Sequence, residues 1–137
     1  MHLKNDQKSD CGTSMKSMSQ ISNISTQGLS QLNTQLVQHE QVLQSLYSFD
    51  FDAFKVSDAV GRENCFTMAV FKMMNELPMA ADDSSTKELN KDKLVNFLKK
   101  IGQGYRREVD YHNELHGLDV AQMMFLMINK ANLGTVA

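Results

Sequence analysis

The apolar residues between positions 28 and 47 recur in alternating steps of three and four. They are Leu29, Leu32, Leu36, Leu43 and Leu46, with His39 in the remaining slot of the pattern. This spacing places the side chains on one face of an α-helix, as in the a and d positions of a coiled coil. We therefore predict an amphipathic helix over residues 28–46.

Two interpretations of this helix stay open. The stripe covers nearly three heptads and has one polar slot, which favours a helix that lies on its own domain. In that case His39 is a partly buried or edge histidine and not a metal ligand. The alternative is a short coiled coil through which residues 29–46 form a homodimer.

Residues 49–61 connect this helix to the rest of the chain. Phenylalanines occupy positions 49, 51 and 54, which fits a short extended segment or an entry turn that packs its aromatic rings into a core. Residues 57–61 have the composition of a turn. Two amphipathic helices are predicted next, over residues 63–77 and 91–103, with a loop between them and Asn90 as the N-cap of the second.

The last predicted helix runs from His112 or Asn113 to Lys130, with Asp110 or Asn113 as its cap. Residues 123–128 are apolar on every side of this helix, which predicts burial all round. The chain is therefore expected to be all-α. All ten aromatic residues lie from Tyr47 onward, so we predict a globular part over residues 47–137, preceded by the helix at 28–46 and a disordered polar tail at 1–27.

The charge, the cysteines and the apolar runs of the chain argue against nucleic-acid binding, a cysteine-based metal site and membrane insertion. The net charge of −2 and the absence of a long cationic run argue against nucleic-acid binding. Cys11 and Cys65 form neither a CxxC motif nor zinc spacing, which is typical of free thiols in a reducing compartment. The first residues contain no apolar run of the kind found in secretory signals, and the longest apolar run, residues 123–128, is too short to span a membrane. We expect an intracellular, cytoplasmic protein that binds no membrane.

The candidate chemistry lies at the start of the last helix. His112 and His116 are four residues apart, and Asp119 follows three residues later. On a helix this spacing puts all three side chains on one face. Two histidines and a carboxylate on a buried helix suit a metal site or a proton-transfer site. Asp119 could orient a neighbouring histidine, or it could simply cap or pair locally.

These residues belong to a longer motif, Tyr-His-Asn-x-x-His-x-x-Asp-Val-x-Gln, at residues 111–122. The motif closely resembles the signature of class I 3′,5′-cyclic-nucleotide phosphodiesterases. Residues 49–54 are similar to the entry into the catalytic domain of that family, and residues 93–98 followed by Gly104 and Tyr105 resemble the helix that leads to the signature. The resemblance implies an N-terminal part of an all-α catalytic domain that hydrolyses cAMP or cGMP to the 5′-monophosphate.

The resemblance also implies roles for individual residues. His112 takes the position of the proton donor to the leaving oxygen, and His116 that of a zinc ligand. Tyr111 and Asn113 line the mouth of the pocket, and Asp119 supports the site. The complete family site holds two divalent metals, zinc with magnesium or manganese, which lower the pKa of bound water and clamp the phosphoryl oxygens.

This chain departs from the family pattern in ways that bear on activity. Asp110 and Gly117 stand where the family usually has proline and alanine, and a glycine inside a helix costs about 1 kcal/mol relative to alanine. The resemblance implies that the remaining metal ligands are a second histidine, the aspartate directly after it and a distant aspartate. No histidine of this sequence is followed by aspartate, so we expect an incomplete ligand set, whereas catalytic zinc sites have three protein ligands. We expect a fragment that is inactive by itself. The alternative is a short helical interaction module that pairs with itself or with a full-length phosphodiesterase.

Overall fold

The structure is a computed structural model that describes residues 18–77 and 89–131, with side chains from residue 28 onward. Its helices are α1 (Met18–Gln38), α2 (Glu40–Leu43), α3 (Ala53–Val60), α4 (Arg62–Glu76), α5 (Lys91–Gly104) and α6 (Glu114–Lys130), with a 3₁₀ turn at Gln44–Tyr47. The described ranges contain no strand. The predicted all-α fold class is confirmed.

The helix predicted over residues 28–46 is divided in the structure. α1 already begins at Met18, upstream of the predicted start, and the chain leaves helical geometry at the half-buried His39, where φ is −109° and ψ is 18°. Residues 1–17 of the predicted tail lie outside the described residues. The break lets α2 and the 3₁₀ turn bend towards the core, so that the leucine stripe is divided among α1, α2 and the 3₁₀ turn.

The leucines of this stripe pack within the chain itself. Leu32, Leu43 and Leu46 are buried, and Leu29 and Leu36 lie against the same core. α1 rests on α5 and α4. This arrangement agrees with a helix that lies on its own domain, and pairing through residues 29–46 stays a prediction.

The prediction for residues 49–61 was wrong in two respects. Residues 53–60 form helix α3, whereas a turn was expected over residues 57–61 and an extended segment or entry turn before it. Asp52 caps this helix by accepting hydrogen bonds from the backbone amides of Phe54 (2.9 Å) and Lys55 (3.4 Å). The chain turns only at Gly61, whose φ of +87° is accessible mainly to glycine. Phe49 and Phe54 are exposed, and only Phe51 packs against the core.

Helices α4 and α5 confirm the two predicted amphipathic helices and pack against each other. Asn90 caps α5, since its side chain accepts a hydrogen bond from the amide of Lys93 at 3.0 Å. The face of α4 that enters the core includes Cys65, Phe71 and Met73. Burial raises the pKa of the Cys65 thiol to about 12, so this free cysteine is a structural core residue.

Helix α6 packs on α3 and α4 through one side only. Leu118, Phe125 and Leu126 are buried, but Met123, Met124 and Met127 are exposed in the part of the chain that the structure describes. The expected burial on every side was therefore wrong. No helix within residues 18–77 and 89–131 has the length and apolar character needed to cross a membrane.

Gln122 connects the middle of α6 to the segment that precedes α3. Its side-chain amide is buried and donates hydrogen bonds to the carbonyl oxygens of Leu46 (3.0 Å) and Ser48 (2.8 Å). Both carbonyls lie where the 3₁₀ turn ends and have no helical partner of their own. The Tyr47 ring meets Phe125 edge-on beside them, with ring centroids 5.8 Å apart. These contacts fix the register of α6 on the core.

We expect Gly117→Ala to lower the free energy of unfolding although alanine is the better helix former. A Cβ at Gly117 would lie 2.5 Å from the Tyr105 hydroxyl and 2.9 Å from its ring carbon Cζ. Such overpacking costs about 1–3 kcal/mol, more than the roughly 1 kcal/mol gained in helix propensity. Urea denaturation measures the change.

Gly104→Ala is the matched control, because a Cβ there meets nothing within 4 Å. This variant is expected to be neutral or more stable than the wild-type protein. Equal changes in stability for Gly117→Ala and Gly104→Ala would contradict the role assigned to Tyr105.

Candidate functional site

The first turn of α6 is organised by Asn113, its N-cap. The side-chain oxygen accepts hydrogen bonds from the amides of Leu115 (3.1 Å) and His116 (3.2 Å). The side-chain amide donates to the carbonyl oxygens of Val109 (2.9 Å) and Asp110 (3.3 Å). Asn113 therefore joins the preceding loop to the helix, and Asp110, the alternative cap, does not have that role. Since Asn113 is buried, its amide is fully used inside the fold.

His112 lies before the helix, which corrects the prediction that both histidines sit on one helical face. The backbone of Asn113 is extended, with φ −122° and ψ −177°, so the chain changes direction between His112 and the first helical residue. The two imidazole rings are nevertheless close, with centroids 5.9 Å apart. The proximity predicted from helical spacing is thus produced by a turn.

Tyr111 completes the cluster. Its ring centroid lies 4.3 Å from that of His116 and 5.0 Å from that of His112. Tyr111 is 63% exposed, His112 is also exposed, and His116 is half-buried. The three rings form an aromatic and imidazole surface that solvent and ligands reach, in contrast to the buried setting expected for this helix.

Asp119 lies one turn along α6 from His116 and is exposed. Partial desolvation of its carboxyl raises the pKa of Asp119, although the residue as a whole is exposed, and the nearby charge of Asp52 raises it further. His116 acts in the opposite direction. Asp119 therefore shares an electrostatic environment with His116 and with the cap of α3, but no hydrogen bond joins it to either histidine among the described residues.

An ion pair that a buried carboxylate forms at the start of α6 was not predicted from the sequence. Glu114, the first residue of α6, is only 1% exposed, and its Oε1 lies 2.5 Å from Nε of Arg62 and 3.7 Å from Nε of Arg107. Burial alone would raise the pKa of Glu114, but the hydrogen bond from Arg62 and the charges of both arginines hold it below its usual value. Glu114 therefore stays ionised inside the fold.

Of the ion pairs between Glu114 and the two arginines, only the place of Glu114 in a first helical turn could be recognised from the sequence. A glutamate in the first turn of a helix is favoured by the helix dipole, which marks Glu114 as a plausible N-terminal residue. Nothing in its spacing indicated burial, and Arg62 lies far away in the sequence. The contact depends on how α4 and α6 pack, which no local pattern encodes.

The donor atoms at the head of α6 do not fit a complete metal centre. Within residues 18–77 and 89–131, no three histidine, cysteine or acidic side chains come close enough together to hold a metal ion. A catalytic zinc takes three protein ligands, and His116 alone does not provide them. No catalytic step through a metal is therefore assigned to the described residues.

These observations define an all-α chain in which an exposed histidine, His112, and a half-buried one, His116, lie together at the head of a capped helix. The chain is 26% identical over 114 residues to the 3′,5′-cyclic-AMP phosphodiesterase 4C of Rattus norvegicus, and this alignment covers 81% of the chain and 20% of that relative. The chain thus spans about a fifth of the relative's length. No family model and no solved structure matches the chain. The similarity supports a distant relationship to the phosphodiesterases.

We expect Glu114→Gln to lower the free energy of unfolding near neutral pH. The loss should be about 1.5–3 kcal/mol, as for a hydrogen bond to a charged group. It should fall towards the lower end, because Arg62, whose side chain is 39% exposed, can turn to water. Chemical denaturation at several pH values measures the effect.

The pH dependence follows from the lowered pKa of Glu114. A carboxyl whose pKa is lower in the folded state adds stability above its unfolded value, ordinarily 4.5, and that stability is lost as the pH falls through the folded pKa. Glu114→Gln should therefore reduce the acid-dependent loss of stability below pH 4.5. Glu108→Gln, at an exposed position, is the control, and identical pH profiles for both variants would contradict the assignment.

Asn113→Ala should destabilise the protein more than Asn90→Ala does. Both residues are N-caps, and loss of such a cap costs about 0.5–2 kcal/mol. Asn90 accepts one hydrogen bond at an exposed position, whereas Asn113 is buried and also satisfies the Val109 and Asp110 carbonyls. Unfolding in urea compares the two variants directly, and an equal loss would mean that the loop contacts of Asn113 add nothing.

Proposed function

We propose that this chain is the N-terminal part of the catalytic domain of a metal-dependent 3′,5′-cyclic-nucleotide phosphodiesterase. In this proposal the complete enzyme hydrolyses cAMP or cGMP to the 5′-monophosphate. The observation that carries it is the solvent-accessible cluster of Tyr111, His112 and the half-buried His116 at the head of α6. The similarity to a cyclic-AMP phosphodiesterase over 81% of the chain supports the same function.

His112 is proposed as the proton donor to the leaving oxygen. Breaking the cyclic phosphate produces an alkoxide, which is a poor leaving group unless it is protonated as the bond breaks. Histidine is suited to this task because its ordinary pKa lies near neutral pH. The exposure of His112 gives a substrate access to the imidazole, and its position before the Asn113 cap holds it on an ordered turn.

His116 is proposed as a zinc ligand in the complete enzyme. It is half-buried and lies in the first turn of α6, where Asn113 accepts a hydrogen bond from its backbone amide. A bound metal pair would lower the pKa of water and polarise the phosphate. The remaining ligands would have to come from outside the described residues, so we propose that this chain alone does not turn over cyclic nucleotides.

One observation favours a second candidate, a helical interaction module. Met123, Met124 and Met127 form an exposed apolar stripe along α6, and methionine side chains adapt readily to varied partners. A non-catalytic chain could use this surface to pair with itself or with a full-length phosphodiesterase. The catalytic proposal remains the stronger one, because an interaction module does not require the histidine cluster.

A chimera provides the test of the catalytic roles. The aligned segment of the rat 4C enzyme is replaced by the corresponding residues of this chain, and hydrolysis of cyclic AMP and cyclic GMP is measured with zinc and magnesium present. We expect the chimera to be active and His112→Ala to lower kcat by about 10²–10⁴-fold, as for loss of a general acid. His116→Ala should reduce the zinc retained after dialysis.

His39→Ala is the matched control, because His39 is half-buried at the break between α1 and α2. It should leave kcat and zinc content unchanged. The isolated chain, assayed beside its own His112→Ala variant, should show no turnover. An active chimera that tolerates His112→Ala would overturn the assigned role of this residue, and turnover by the isolated chain would overturn its proposed dependence on further segments.

A further inference from the structure

A recess lined by three cationic side chains lies between α4, α5 and the head of α6. Arg62, Lys99 and Arg107 line it together with the carboxylates of Glu63 and Glu114, and its volume is about 30 Å³. A cavity needs only about 10–15 Å³ to hold a water molecule, so the recess has room for a small polar group. We call this cavity the cationic recess.

The charges of the cationic recess are not balanced within the described residues. Glu114 is shared by two arginines, of which Arg62 takes the close contact at 2.5 Å and Arg107 lies 3.7 Å away. Lys99 forms no ion pair with a described residue. Three cations thus face two carboxylates, which leaves one positive charge in excess.

The guanidinium of Arg107 has hydrogen-bond donors without a partner among the described residues. Its Nε lies beyond hydrogen-bonding distance of Glu114, and its guanidinium donates no hydrogen bond to any residue of the described ranges. By contrast, Arg62 donates to Glu114 and to the backbone carbonyl of Arg107. A guanidinium with free donors is suited to a phosphate or carboxylate group, which it binds through two parallel hydrogen bonds.

The cationic recess adjoins a wider cleft between α1, α4 and α5. The two cavities share Glu63, Thr67, Lys99 and Gln103, and the cleft has a volume of about 270 Å³. Its other polar side chains are Gln31, Gln35 and Asn64. Amide groups donate and accept hydrogen bonds without charge, so they suit a ligand body that carries hydroxyl or amide groups. The volume of the cleft is just below about 300 Å³, the lower end of the range that is typical of small-molecule pockets.

We propose that the cationic recess and the adjoining cleft bind a small hydrophilic phosphate monoester. Arg107 and Lys99 hold the phosphate group in the recess, and the amides of the cleft contact the polar remainder of the molecule. Arg62 contributes charge while it keeps Glu114 paired. This site differs from the histidine surface, because none of Tyr111, His112 and His116 lines either cavity.

The proposal is tested by titrating the ¹⁵N-labelled full chain with three probes at constant ionic strength: inorganic phosphate, glycerol 3-phosphate and glycerol. Saturable amide shifts are expected in residues 62–67 and 99–107 with both phosphates and not with glycerol. Glycerol 3-phosphate should bind more tightly than inorganic phosphate, because only the ester reaches the cleft.

Arg107→Gln and Lys99→Gln should each weaken binding by about tenfold, the effect of losing one charge-assisted hydrogen bond. Lys100→Gln is the matched control, since Lys100 neighbours Lys99 in sequence but lines neither cavity. Shifts that do not saturate, or equal weakening by Lys100→Gln, would overturn the proposal. Equal affinity for phosphate and glycerol 3-phosphate would refute the part assigned to the cleft. These readouts are independent of phosphodiesterase activity.

Discussion

The fold depends on one buried carboxylate. Glu114 is almost fully removed from solvent where α6 begins, and it is ionised because Arg62 and Arg107 meet it there. A buried carboxylate without partners would be costly, so the packing of α6 is possible only where the first residue of α4 and the loop before α6 come together. This single charge therefore fixes the position of the helix that carries the candidate site, because any displacement of α6 would leave the carboxylate unpaired.

The turn that leads into α6 separates side chains that stabilise the fold from side chains that are candidates for catalysis. Residues 113–115 are buried and hold the helix start through the cap, the ion pair and Leu115, whereas Tyr111 and His112 are exposed and His116 is half-buried. The extended backbone at Asn113 causes this division, because it points the residues before it away from the core. The histidines thus owe their position to buried neighbours with no chemical role, and substitutions of those neighbours would move the site without removing any of its reactive groups.

Local signals in the sequence predicted the elements that local interactions determine. Asn90 was recognised as a cap and Asn113 as one of two candidate caps, and α4 and α5 followed from apolar spacing, because caps and amphipathic stripes act within a few residues. α3 was missed because its residues resemble a turn, although Asp52 supplied a cap signal. The burial of Glu114 and the exposure of Met123, Met124 and Met127 could not be predicted, because both depend on which faces of distant helices meet.

The exposed side of α6 connects the fold to the proposed function. Met123, Met124 and Met127 lie on the helix that begins at the histidine cluster, and exposed methionines that form a contiguous stripe are a typical feature of surfaces that contact other protein. The cluster itself lacks the donors that a metal requires. Protein packed along this stripe would bring further side chains towards the head of α6, so the apolar face and the incomplete ligand set have a common explanation in the proposed catalytic domain. An interaction module accounts for the methionines but leaves the arrangement of Tyr111, His112 and His116 without a purpose.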